Sequence, residues 1–238
     1  MSAKLNVDRG YVLHSRPYRE SSALVDVFTQ RHGHLAAIAR GVRGAGKRVR
    51  TVQPFVTLAL TWDGAGELRN LRTWESERAL WLVGDALTSG MYLNELLMRL
   101  LPREDPHSVL FDAYHDALPQ LLPGALEPVL RRFERLLLDE LGYGVSFTHT
   151  YEDGAPITTS TRYRLVDHQG FVPMEAGAFS GEELLAIDAH DFSTLPTRRA
   201  AKRIFRELLA WHLGPRPLLS RAMFKARSGA GNVAVRDA

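Results

Sequence analysis

The segment GVRGAGKRVRTVQPFVTLALTW (residues 41–62) decides the fold class. From Gly41 to Lys47 it matches the phosphate-loop pattern G-x-x-x-x-G-K-[ST], but Arg48 stands where the pattern needs a magnesium-binding hydroxyl. A phosphate loop must also lead into a helix, and Pro54 and the β-branched residues before it favour extended backbone instead. The segment therefore predicts a basic loop followed by a strand, and it argues against an ATPase.

Short strand-like stretches lie on both sides of this loop. In each of them apolar residues alternate with polar ones, and turn residues separate one stretch from the next. The expected strands are residues 11–18, 22–30, 33–41, 54–62 and 67–75. Short strands joined by one long basic connection favour a small closed barrel. A βαβ unit is disfavoured, because its helical crossover needs roughly 10–12 residues or more.

After about residue 78 the apolar residues recur at helical spacing. The predicted helices are residues 82–102, 107–122, 127–144, 180–187 and 197–214. Ser180 and Glu183 form an expected capping box, while Thr197 is expected to cap the last helix and Gly214 to end it.

The fold class that follows is α+β. An N-terminal five-stranded OB-type β-barrel is expected at residues 1–80, followed by a mainly α-helical domain at residues 81–238. The polar, turn-rich residues 145–178 predict a small β excursion inside the helical domain. Residues 228–238 are small and polar, and we expect them to be disordered.

The composition excludes several classes of function. The chain has no cysteine, which excludes disulfides, thiolate catalysis and a cysteine zinc site. It shows no apolar run of about 20 residues and no secretory leader, so a cytoplasmic protein without a membrane segment is expected. No catalytic constellation, cofactor motif or metal site is evident, and the His32/His34 pair is interpreted as incidental.

Charge is distributed unevenly along the chain. Residues 1–82 carry a net charge of +6, residues 83–197 carry −11, and residues 198–238 carry +8. Two basic ends around an acidic middle indicate separate surfaces with separate partners. The alternative is that these are ordinary solvated faces, which neutralise one another in the folded protein.

The basic ends are the candidate nucleic-acid surfaces. Glycines in the loop would let several cations follow a polyanion, and each neutralised phosphate releases counterions, which gives salt-sensitive affinity without sequence preference. Aromatic residues of the strands are candidates for base stacking, but most are expected in the core, and Tyr18 is the strongest exception. The candidate DNA-binding residues are Arg40, Arg43, Lys47, Arg48, Arg50, Arg199, Lys202, Arg203 and Arg206.

Three arginines stand alone in the acidic middle. Arg131, Arg132 and Arg135 are the only Lys or Arg residues between Arg103 and Arg162, and helical spacing places them away from the apolar face of their helix. They are interpreted either as intramolecular partners of Glu127 or Glu134 or as an anion site.

Several blocks of sequence resemble the bacterial recombination mediator family RecO. They are VLHSRPYRESSALVDVFT (12–29), QPF (53–55), YLNELL (92–97), LRRFERLLLDELGYGVSFTH (130–149) and RAAKRIFRELLAWHLGPRPLLSR (199–221). The resemblance implies an oligonucleotide-binding barrel, a helical domain, and binding of single- and double-stranded DNA without sequence preference. It further implies strand annealing, contact with the C-terminal tail of single-strand binding protein, and cooperation with RecR in loading RecA. Many members carry four cysteines that form a zinc site in the region matching 145–178, so this chain resembles the zinc-free branch.

By the same resemblance, Arg131 is the expected contact of the partner tail, with Arg132 as the near alternative. An arginine fork can pair with a carboxylate in a bidentate way. The expected groove residues are Tyr92, Leu96 and Leu100. The competing hypothesis is a protein–protein adaptor that binds acidic partners and has no direct contact with DNA; an enzyme is the third.

Overall fold

The computed structural model describes residues 5–42, 52–122 and 124–230, and side chains up to residue 224. The chain divides into two compact units. The first contains the described residues of Met1–Pro123 and Pro217–Ala238, and the second is Gly124–Arg216. The domain boundary predicted at residue 80 falls inside the first unit, and it stays a prediction.

The first unit is built on a closed barrel with the strand order β1-β2-β3-β5-β4. Its strands are β1 (Asn6–Tyr18), β2 (Ser22–Thr29), β3 (Gly33–Arg40), β4 (Val56–Asp63) and β5 (Leu68–Ala79). Strands β3 and β5 pair in parallel, and the other neighbours pair antiparallel. The five predicted strands and the α+β class are confirmed.

The barrel interior is filled by the inward half of each alternating strand. Val25, Leu35, Leu58 and Trp62 belong to one buried apolar cluster. Most of the candidate stacking aromatics are buried and pack in the core, as expected: Tyr11, Phe28, Phe55, Trp62 and Trp74. Tyr18 is half-buried and remains the exception among them.

Helices α1 (Gly84–Leu100), α2 (Ser108–Gln120) and α6 (Leu219–Ala230) complete the first unit. A buried polar chain joins the first two helices to the barrel. The Asn94 amide donates to the Leu13 carbonyl at 2.9 Å, and the Tyr114 hydroxyl donates to the Asn94 amide oxygen at 2.6 Å. Each buried polar group thereby keeps a partner, which fixes the helices against β1.

Helix α6 begins on the carboxylate of Glu95 in α1. That carboxylate accepts hydrogen bonds from the backbone N–H groups of Leu219 and Ser220 and from the Ser220 hydroxyl. It therefore satisfies orphan donors of a helix N-terminus. Of the segment 228–238, which is expected to be disordered, residues 228–230 belong to α6 and residues 231–238 lie outside the described residues.

The second unit surrounds a small sheet with helices. Its elements are α3 (Leu126–Glu140), β6 (Arg162–Val166), β7 (Gly170–Pro173), β8 (Phe179–Ser180), α4 (Gly181–Asp188) and α5 (Leu195–Leu213). The sheet has the order β7-β6-β8, which confirms a β excursion. Phe147, Phe171 and Phe205 pack together beneath it. None of the described helices in either unit is both long and apolar enough to cross a bilayer.

The helix ends show two correct expectations and one incorrect one. The Ser180–Glu183 capping box at α4 is present, and Gly214 ends α5 with φ at +67°. The prediction that Thr197 caps α5 was wrong: the Thr194 side chain accepts from the Thr197 N–H, and Pro196 lies within the first turn. A proline lacks the N–H that a first helical turn leaves unbonded, so the helix starts earlier than the apolar pattern suggested.

Candidate nucleic-acid interface

Strand pairing shows which end of the barrel holds the strand ends that flank residues 43–51. Tyr18 pairs with Ser22, Ser22 pairs with Arg40, and Val56 pairs with Ala79. The end of β1, the start of β2 and the end of β3 are therefore adjacent, and the strand directions place the start of β4 and the end of β5 at the same end of the barrel, which we call the loop end. Four predicted contacts, Arg43, Lys47, Arg48 and Arg50, lie outside the described residues.

Exposed cations and aromatics surround the loop end. Arg16, Arg19 and Arg40 are exposed, and none of them forms an ion pair with another described residue. The Arg19 guanidinium lies 5.1 Å from the centre of the half-buried Tyr18 ring. This combination of free cations and an accessible ring suits a single strand, which offers phosphates and unstacked bases together.

Sequence reasoning missed Trp81. Its side chain is 82% exposed, directly after β5, whose last residue pairs at the loop end. The position fell between a predicted strand and a predicted helix and was assigned to neither. A large aromatic residue in such a connection was the available signal, because exposed tryptophan is uncommon away from binding surfaces.

Helix α5 carries the second predicted cation set on one exposed face. Arg199, Lys202, Arg203 and Arg206 are all exposed, as the amphipathic pattern predicted. Lys202 pairs with Glu127 at 2.6 Å, and the Arg203 guanidinium lies 5.0 Å from the centre of the Phe179 ring. Arg199 and Arg206 have no ion pair in the described part of the chain, so their charges remain open to an anion.

The arginines of α3 differ sharply in burial. Arg131 is 5% exposed and pairs with Glu134 at 3.0 Å, which confirms the intramolecular alternative for this residue. The expectation that Arg131 points away from the core was wrong, because a buried carboxylate one turn later draws it inward. Arg132 is exposed. Arg135 pairs with Asp139 and Asp188.

The predicted groove residues belong to the first unit, whereas Arg131 and Arg132 belong to the second. Tyr92 and Leu96 are buried in α1, and Leu100 is half-buried. The Arg221 guanidinium lies 6.0 Å from the centre of the Tyr92 ring. Their role in binding a partner tail stays a prediction, and in this conformation Leu96 offers no surface.

The predicted histidine pair does not converge. His32 contacts Asp8 at 2.8 Å, and His34 contacts Asp26 at 3.2 Å, so each ring turns to its own carboxylate. Across residues 5–42, 52–122 and 124–230, no group of three or more His, Asp or Glu side chains is arranged to hold a metal ion.

The sequence matches two family models in succession. Residues 1–79 match the model described as "Recombination protein O N terminal", and residues 83–222 match "Recombination protein O C terminal". A DNA repair protein RecO of Stutzerimonas stutzeri is 50% identical over 219 residues, covering 90% of this chain and 91% of that protein. A DNA repair protein RecO of Pseudomonas aeruginosa is 47% identical over 222 residues (91% and 94%), and one of Pseudomonas putida is 48% identical over 222 residues (91% and 96%).

Proposed function

Because the chain belongs to the RecO family, we propose that it is a recombination mediator in DNA repair that binds single- and double-stranded DNA through the phosphate backbone. The observation that carries this proposal is the loop end of an OB-type barrel, where Arg16, Arg19 and Arg40 are exposed and form no ion pair with any residue that the structure describes. Free surface cations attract a polyanion by releasing its counterions, and they read no base.

Strand annealing follows from the same electrostatics. Two complementary strands repel each other through their phosphates, and the free cations of the loop end and of α5 reduce that repulsion. Stacking of separated bases on Tyr18 and Trp81 would keep a strand open for pairing. The protein on this proposal needs no bond-making chemistry and no cofactor.

Protein partners form the second part of the proposal. Arg132 is the exposed arginine of α3, and its fork suits the C-terminal carboxylate of the single-strand binding protein tail. The buried Arg131 would act indirectly, through its ion pair with Glu134 inside α3. Contact with RecR, and through it the loading of RecA, completes the mediator role, which acts in the cytoplasm at the nucleoid.

The salt dependence of DNA binding tests the first part. Affinity for a single-stranded oligonucleotide is measured by fluorescence anisotropy between about 50 and 200 mM salt, where six to ten phosphate contacts would cost roughly 10³–10⁵ in affinity. A flat plot of log affinity against log salt contradicts backbone binding. Incubation with ATP and magnesium, followed by phosphate release, checks for the enzymatic alternative.

The adaptor hypothesis is separated by a set of substitutions in the loop. Replacing Arg43, Lys47 and Arg48 together with alanine should abolish most DNA binding and leave binding of the partner tail peptide unchanged. Arg132→Ala should show the reverse pattern. Loss of tail binding in the loop variant, with DNA binding intact, supports the adaptor.

A further inference from the structure

The end of the barrel opposite the loop end contains a cavity of about 210 Å³. There Asn6 of β1 pairs with Trp62 of β4, and the β2–β3 turn lies beside them. We call this the cavity end. Its apolar lining is Leu35, Trp62 and Pro106, and its polar lining is Asn6, Arg31, His32, Arg69 and Glu104.

The β2–β3 turn and the loop after α1 are fixed against each other here. Gly33 has φ at +68°, and a Cβ on it would overlap the backbone of Asp105. The Glu104 N–H donates to the His34 carbonyl at 3.0 Å. Glu104 itself lies in the left-handed region with φ at +59°, which costs a non-glycine residue free energy and is typical of functional sites.

A buried carboxylate orients the histidine of the cavity. Asp8 accepts hydrogen bonds from the Arg31 N–H and from His32 Nδ1. Burial alone would raise the pKa of Asp8, but the hydrogen bonds from His32 and from the backbone N–H groups of Arg31 and Arg9 lower the pKa below its ordinary value. Asp8 is therefore a carboxylate that accepts from the Nδ1–H of His32, and in the neutral ring this leaves His32 Nε2 as an acceptor.

Arg69 carries an unused donor at the same cavity. Its two terminal nitrogens donate to the Gly64 carbonyl and to Glu104, each at 2.7 Å. Its Nε–H is buried and has no hydrogen-bond partner among the described residues. A buried donor without a partner costs free energy, and a bound ligand with an acceptor would recover it.

Both arginines that line the cavity form ion pairs with carboxylates, whereas the arginines of the loop end form none with the described residues. Arg31 pairs with Asp8, and Arg69 pairs with Glu104. A phosphate in the cavity would be repelled by the Glu104 carboxylate, and both guanidiniums are already neutralised by their carboxylate partners. A neutral planar group with donors and acceptors on its edge suits this lining, because its faces can contact Leu35, Trp62 and Pro106.

The size of the cavity restricts the ligand further. At about 210 Å³ it is smaller than a site for a drug-sized molecule, which is roughly 300 Å³ or more. It has room for one heterocycle. We propose that the cavity end binds one unpaired nucleobase, through the Arg69 Nε–H and His32 Nε2, with the base between Trp62 and Pro106.

The source of that base follows from the barrel, and this step rests on the proposed function. Strand β1 runs from the cavity end to the loop end and carries the exposed Arg16 on the way, while its exposed Arg9 pairs with Glu77 at 2.9 Å. A strand of 8 residues, such as β2, spans about 26 Å at roughly 3.3 Å per residue. A single strand bound at the loop end can therefore reach the cavity within the roughly 4–16 nucleotides that an OB fold covers. Bases in a duplex are paired and cannot enter.

The test compares strands that carry the same phosphates. Binding of a deoxyadenosine oligonucleotide to the full chain carrying Tyr18→Ala and Trp81→Ala, in which bases no longer stack on these two rings, is compared with binding of an abasic strand of equal length. We expect the base-bearing strand to bind about tenfold more tightly. Pro106→Trp, which fills the cavity from its rim, should remove that preference. Pro102→Trp, an exposed proline nearby that does not line the cavity, should keep it.

Direct titrations distinguish the source of the base. Saturable binding of free deoxyadenosine, lost in Pro106→Trp, supports the site, and tighter binding within an oligonucleotide than as free nucleotide assigns the base to a strand. Competition by inorganic phosphate at constant ionic strength overturns the proposal, as does an equal affinity for the abasic strand. If the equal affinities remain salt-sensitive, only this inference fails. If no strand binds even in dilute buffer, the proposed function fails.

Discussion

The two ends of the barrel carry similar side chains in opposite electrostatic states. At the loop end, Arg16, Arg19 and Arg40 are exposed and pair with no carboxylate in the described part of the chain, whereas at the cavity end Arg31 pairs with Asp8 and Arg69 with Glu104. Unmatched charges attract any polyanion over a distance set by salt. Matched charges leave only hydrogen bonds and shape, which select a neutral ligand. Pairing, and not the number of cations, therefore determines what each end can bind.

Arg131 of α3 is buried in an ion pair with a buried carboxylate, and replacing it should have the largest effect on stability. Arg131→Ala removes the guanidinium that pairs with the buried Glu134 carboxylate, so we expect a loss of about 3–5 kcal/mol in the free energy of unfolding. Urea unfolding measures it. Arg132→Ala, one residue along and exposed, is the control, with an expected change within about 0.5 kcal/mol. Equal effects of the two variants would mean that burial does not separate them.

Removing the unmatched cations should affect binding and leave stability unchanged. For the triple variant Arg16→Ala, Arg19→Ala and Arg40→Ala, we expect a loss of about a hundredfold in affinity for DNA at low salt and a salt slope shallower by about three. Arg72→Ala, which removes an exposed arginine already paired with Asp63, is the matched control. An equal loss in the control shows that net charge, and not pairing, governs binding.

The aromatics of the loop end should contribute next. Replacing Tyr18 and Trp81 together with alanine should weaken single-strand binding about tenfold and duplex binding much less, because only unpaired bases stack. Tyr151→Ala, which removes an exposed aromatic from the second unit, should change neither affinity. Equal losses for single strands and duplex rule out stacking at this end.

Low pH should reduce the stability of the protein through Asp8 at the cavity end, and this is the smallest of the expected effects. The pKa of Asp8 is lowered in the folded protein, so its stabilising contribution is complete above the ordinary value of 3.8 and is lost as the pH falls through the lower folded value. Asp8→Asn should therefore flatten part of the decline in stability below about pH 4. Asp116→Asn, on the exposed side of α2, should leave that decline unchanged. Urea midpoints across this pH range measure both.

The local spacing of apolar residues was sufficient to predict most strands and helices. It also predicted one of the two cation surfaces, the one on α5. Alternation over residues 54–62 specified a strand, and the apolar spacing of 197–214 placed Arg199 and Arg206 on an exposed face. These features depend on neighbours within one turn or one strand. Arg131 was misplaced because its burial depends on Glu134 and on packing, which helical spacing does not report.

By itself, the sequence determined the barrel, the helices, the exposed cations of α5 and the family, because periodicity, turn residues and family motifs are properties of the chain order. Only the tertiary structure decided which arginines are neutralised and which remain free. It also joined Asp8, His32, Arg69 and Glu104 at one end of the barrel. Barrel closure brings together residues nearly a hundred positions apart, and pairing across such distances leaves no periodic trace in the sequence.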